Sequence, residues 1–147
     1  MHGKYFGYSQ RTFIYDTKED NWTLGPSLLT PRAYHSSCST QLDDGSTQSI
    51  IIIGGNTDQE EFSKTTEILD LKKLKWFQGP ELPLGITEAS CVALPPTHNF
   101  ACVLVGGKTE EEIHSSNVYG LNRSLKEWTL LGKIRTGRCD HIALPLS

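Results

Sequence analysis

"QSIIIIGGNT", residues 48–57, sets four consecutive isoleucines against two glycines and then stops. Such a stretch has three readings: a membrane segment, the strand leading into a nucleotide-binding loop, or a buried strand and its exit. A spanning helix needs about 20 consecutive apolar residues, and no apolar run in the chain approaches that length. Membrane insertion is therefore not expected.

The chain contains a second copy of the motif. "ACVLVGGKT" places Gly106-Gly107 52 residues after Gly54-Gly55, and Trp76 and Trp128 each follow their glycine pair by 21 residues. A third tryptophan, Trp22, lies 54 residues before Trp76. Indexed from each Trp, further positions align: Tyr15, Leu69 and Leu121 seven residues before, then Asp16, Asp70 and Asn122. Leu28, Leu82 and Ile134 stand six residues after. Arg32 with His35 and Arg138 with His141 occupy the tenth and thirteenth positions after Trp, where the middle copy has Ile86 and Ala89. Self-similarity at a fixed period is the mark of a repeat architecture.

The repeat decides an ambiguous segment. "TTEILDLKKLKWF" (65–77) alone fits an amphipathic helix, with Ile68, Leu71 and Leu74 at a three-residue period. Its counterpart "RTFIYDTKEDNWTL" (11–24) pairs strand-forming Thr, Phe, Ile and Tyr with Asp- and Asn-rich turn chemistry. Equivalent positions share a structure, so both read as strand, turn, strand. Each unit then holds about four short antiparallel strands, the signature of a propeller blade. Glycines without Cβ allow positive φ and close backbone approach where the buried strand ends, and the isoleucines suit a strand covered on both faces.

The paired glycines, the Tyr-Asp step of "FIYDTKEDNW", the Trp at fixed spacing and "PRAYHSS" (31–37) together resemble the kelch repeat. The resemblance implies an all-β, incomplete kelch-type β-propeller. Its motif positions here are Tyr15, Asp16, Trp22, Gly54, Gly55, Asp70, Trp76, Gly106, Gly107 and Trp128. Leu69 and Leu121 depart from the family's Tyr, Asn122 from its Asp, and Ile86 from its Arg. The expected units are residues 1–30, a partial blade with only its last two strands; 31–83 and 84–136, complete blades; and 137–147, the first strand of a further blade. That is less than half of a ring, which points first to a fragment of a longer protein, next to completion by self-association, and last to a stand-alone arc.

The resemblance implies a non-catalytic protein-interaction module that binds protein partners through blade-end loops, as a substrate adaptor or scaffold. Arg32 and Arg138 are the candidate partner-binding residues, because in kelch adaptors the corner before a blade's first strand lies toward the channel mouth. Arginine there meets carboxylates bidentately. The alternatives are a copper-radical oxidase of kelch-like fold, for which Tyr5, Tyr8, Tyr15, Tyr34 and Tyr119 are available, and a secreted kelch ectodomain.

Other chemistry finds little support. "VGGKTEEE" (105–112) matches the tail of a phosphate-binding loop, yet Cys102 stands where the first glycine is required. The four cysteines, Cys38, Cys91, Cys102 and Cys139, contain no C-x-x-C and no histidine at zinc-finger spacing. Neither a metal nor another cofactor is expected, and buried free thiols are preferred to a bridge. A net charge of −3 argues against nucleic acid as a partner. His35 and His141 are expected to share a structural role, such as a hydrogen bond to a connecting loop. With no apolar leader in "MHGKYFGYSQ" a cytoplasmic protein is favoured, while the sequons at Asn21 and Asn122 keep a secreted one open.

Overall fold

The structure, a computed structural model, describes residues 7–41 and 48–145. Tyr5 and the two chain ends 1–6 and 146–147 lie outside the described residues. Among those described, no helix is long and apolar enough to cross a membrane. The described residues are all β: ten strands in three antiparallel sheets of two, four and four strands. The first sheet pairs β1 (Phe13–Asp16) with β2 (Asn21–Leu24). The second is the meander β3 (Ser36–Gln41), β4 (Gln48–Ile53), β5 (Thr66–Asp70) and β6 (Lys75–Gln78). The third is β7 (Ser90–Ala93), β8 (Phe100–Val105), β9 (Asn117–Asn122) and β10 (Trp128–Lys133). Thus 66–78, helical by one periodicity, is a strand hairpin, as its equivalence to 13–24 demands.

The Ile run shows how the sheets stack. Successive side chains on a strand point to opposite faces, so β4 serves two interfaces at once. Ile51 and Ile53, with Ile68 of β5, pack on Leu82 and Ile86 of the connecting segment and on Leu104, Leu121 and Trp128 of the third sheet. Ile52 and half-buried Ile50 face the other way, toward Leu28, Leu69 and Trp76. Complete burial of one such side chain contributes about 1.5–3 kcal/mol. Because both faces of β4 are covered, no polar residue could alternate with the isoleucines without opening one interface.

Register is repeated as well as pattern. Tyr15 faces Trp22, Leu69 faces Trp76 and Leu121 faces Trp128 across their hairpins. The indoles then reach back one sheet: Trp76 Nε1 donates to the Pro26 carbonyl at 2.9 Å, and Trp128 Nε1 to Thr66 Oγ1 at 3.2 Å. Trp76 and Trp128 are 5% and 6% exposed, whereas Trp22, with no sheet before it among the described residues, is 68% exposed.

Residues 137–145 contain no strand. They nevertheless repeat the inter-sheet contacts. Gly107 N–H donates to the Arg138 carbonyl as Gly55 N–H does to that of Ile86, and Asp140 N–H donates to Glu88 as Glu88 N–H does to Tyr34.

Candidate functional site

The Gly-Gly exits, the corners before β3 and β7, and the loops 54–65 and 106–116 meet at one end of the sheets. Gly54 and Gly106 have φ of 63° and 66°, and Gly55 and Gly107 of 92° and 98°. A Cβ on Gly54 would fall on the Ile86 carbonyl, and one on Gly106 on that of Arg138. Glycine is thus needed twice over, for its dihedral and for its missing side chain. Each corner also holds one non-glycine residue in the left-handed region: Tyr34 (55°), Glu88 (54°) and Asp140 (51°).

Arg32 lies at this corner but is turned inward. Its side chain is fully buried and forms a 2.6 Å ion pair with buried Glu67. The guanidinium also donates to the Gly54 carbonyl at 2.6 Å and to Thr65 Oγ1 at 3.0 Å. Glu67 in turn accepts the backbone N–H groups of Leu29 and Thr30 at 2.7 and 3.0 Å. This network closes the corner of the second sheet. In the third sheet, the positions of Arg32 and Glu67 are held by Ile86 and Tyr119, both in its apolar core. Leu29's position there is Pro83, which has no N–H for a carboxylate to accept. The ionic corner and the apolar corner are therefore matched sets, changed at several positions together.

Arg138 is exposed, and its Nε donates to the Thr136 carbonyl at 3.3 Å. Arg32 and Arg138 therefore present different surroundings despite their equivalence, one neutralised in the core and one open to solvent. The histidines three residues on do not share a hydrogen bond: His141's ring nitrogens are buried without partners. Burial first, then the nearby Arg32 or Arg138 charge, pushes the His35 and His141 pKa values below that of a free imidazole.

The loops after the glycine pairs are near copies. Thr57 N–H donates to Glu60 O at 2.9 Å and Thr109 N–H to Glu112 O at 2.8 Å; Ser63 and Ser115 N–H return to Gly55 O and Gly107 O. Both loops carry exposed acids, Asp58, Glu60 and Glu61 on one and Glu110, Glu111 and Glu112 on the other. Among the described residues none of the six forms a salt bridge. Between the loops lies a cleft of about 230 Å³ lined by Phe62, Leu84, Gly85, Thr109, Glu110 and Glu111. Gly85 lets the backbone approach the Phe62 carbonyl closely, since a Cβ there would run into it. Sequence reasoning missed this rim, although the acids of "TDQEEF" and "TEEEIH" were visible at equivalent positions.

At the opposite end, the β-hairpin turns are organised by the Asp motif. Asp16 Oδ1 accepts N–H of Lys18 and Glu19 at 2.8 and 3.1 Å, and Asp70 Oδ1 that of Lys72 and Lys73 at 2.9 and 3.0 Å. These backbone donors hold both carboxyls below the usual range. Asn122 plays the same part with its amide oxygen, toward Lys126 and Glu127. Asn21 and Asn122, the two sequon residues, thus sit at a strand start and a strand end.

Cys38, Cys91 and Cys102, separated in sequence, converge. Their sulfur atoms all lie within 4.8 Å of one another, with Cys91 Sγ 2.9 Å from Cys38 Sγ. Hydrogen bonds from Cys102 and Cys91 bring the Cys38 thiol down to about 5, while those from its neighbours, with burial, push Cys91 up. Spacing alone gave no hint of the group.

Stacked four-stranded antiparallel meanders, each joined to the next at a glycine-pair exit, define the blades of a β-propeller. No family model matches the chain. Two curated relatives from Danio rerio align over 123 residues, 84% of the chain: Kelch-like protein 41b at 26% identity and Kelch-like protein 41a at 24%. The chain spans 19% of the length of each. The all-β blades, the repeat motifs and these two relatives together support a kelch-repeat protein.

Proposed function

We propose that the chain is a non-catalytic protein-recognition module whose binding end is the rim around the Phe62–Leu84 cleft, serving a larger adaptor or scaffold. The observation that carries this reading is the duplicated loop: two adjacent blades offer the same acidic turn on either side of a partly apolar cleft. Such a surface complements a partner that brings lysine or arginine together with an apolar side chain. Exposed Arg138 offers a contact for a partner carboxylate at the edge of the rim. Arg32 serves the same end from inside, by holding the corner on which the rim is built. The resemblance to Kelch-like proteins supports protein partners.

The test compares proteins retained by the immobilised chain with those retained by Glu110→Lys/Glu111→Lys and by Arg138→Glu. Lys72→Glu, on the far turn, is the control. A partner lost on reversal of the rim and kept by the control is the expected result. A retained set indifferent to both rim variants ends the proposal.

The face of β1 and β2 favours a second mode of association. Phe13, Trp22 and Leu24 are 58%, 68% and 68% exposed, an apolar face of the kind that seeks a partner. Self-association through it predicts a sedimentation coefficient that rises with concentration and falls to the monomer value in Trp22→Glu/Leu24→Glu.

A further inference from the structure

We propose that Cys38, Cys91 and Cys102 form a binding site for one thiophilic d¹⁰ metal ion, Cu(I) or Zn(II), held by three protein sulfurs from two adjacent blades. Cys38 lies in the middle of β3, Cys91 in β7 and Cys102 in β8. Strand β3 packs against both β7 and β8. The sulfurs meet because inner strands of neighbouring blades face each other, and no local sequence spacing is involved.

Two features separate this group from ordinary core thiols. First, it is not produced by the repeat. The counterpart of Cys38 is Val92, that of Cys91 is Ser37 and that of Cys102 is Ile50. Most other motifs of the chain occur in copies, while this convergence occurs once among the described residues. Second, all three sulfurs converge mutually. A disulfide would account for two of them and leave the third without a purpose, whereas three thiolates at one point are the preferred donor set of a soft ion.

The geometry needs little adjustment. Metal–sulfur bonds of about 2.3 Å require sulfurs somewhat farther apart than the 2.9 Å of the Cys38–Cys91 pair, within the 4.8 Å spread of the group. Rotation of the half-buried Cys38 side chain supplies the change, and partial exposure of Cys38 and Cys91 gives an entry route. Cys102 is fully buried and forms the floor. Among the described residues the group contains no fourth Cys, His, Asp or Glu. Copper(I) would be satisfied by three sulfurs alone; zinc would take a solvent oxygen as its fourth ligand. Either ion would join the second and third sheets across their shared interface.

The 147-residue chain, reduced and kept under argon, is titrated with Cu(I) and separately with Zn(II) against a chromogenic chelator. One ion per chain is expected. Cys38→Ser, Cys91→Ser and Cys102→Ser should each weaken binding by on the order of tenfold or more, with Cys139→Ser within about twofold of the parent. Cys102→Ala repeats the test without adding a hydroxyl to the core, and circular dichroism confirms that each variant is folded. X-ray absorption separates the two ions: three sulfurs alone for copper, three sulfurs and one oxygen for zinc. Absence of uptake by the folded, reduced chain overturns the proposal, as does binding that is unchanged by loss of Cys102.

Discussion

Breaking the Arg32–Glu67 pair strands one charge in the core, which is costlier than never having had the pair. Arg32→Ile and Glu67→Met should each cost about 3–5 kcal/mol by urea denaturation. The double variant should cost at least about 1 kcal/mol less than their sum, as expected for residues that touch. Full recovery is not expected, because the Leu29 and Thr30 N–H groups lose their acceptor. Strict additivity would show that the two side chains act independently. This contact was half legible in the sequence. The exchange of Arg32 for Ile86 is visible on alignment of the copies, and so is that of Glu67 for Tyr119, but only the folded hairpin reveals that the two exchanges are one. An arginine at a corner therefore read as exposed, since nothing local shows a carboxylate 35 positions away.

At the level of the hairpin, the Asp motif gives two turns a titratable support that the third lacks. Asp16 and Asp70 have carboxyls depressed by backbone donors, so their support is present above the unfolded value of about 3.9 and is lost as pH falls through the folded ones. Amide proton shifts of Lys18, Lys72 and Lys73 should move on acidification below about pH 4, while that of Lys126, bonded to Asn122, moves far less. Shifts that move together in all three turns would deny the carboxylates this role. The cleft supplies a second test: Gly85→Ala must push against the Phe62 carbonyl, and Gly137→Ala against that of His114. Gly85→Ala should cost about 1–3 kcal/mol, read as a lower urea midpoint with an unchanged slope. Strands and turns were readable here from motif chemistry, whereas these close approaches were not, since Gly85 carries no repeat signal beyond its match to Gly137.

For the molecule as a whole, the stacking order predicts that chemically identical tryptophans differ in worth. Trp76→Ala should cost about 3–5 kcal/mol, because the indole fills the seam with the preceding sheet. Trp22→Ala should change stability by no more than about 0.5 kcal/mol, and Trp22 should dominate acrylamide quenching of the native emission. Equal costs would contradict the stacking order. That order was legible from spacing alone, because a period of some 50 residues with Gly-Gly and Trp in fixed phase admits few architectures. The thiol cluster was not, since it arises from the meeting of non-equivalent positions on separate sheets. Finally, the amides of Gly55 and Gly107 find their acceptors only in the segment beyond their own sheet. As a nascent chain emerges N-terminus first, each sheet must wait for the opening residues of its successor before its last bond can close. During synthesis that bond can therefore close only one segment behind the sheet it completes.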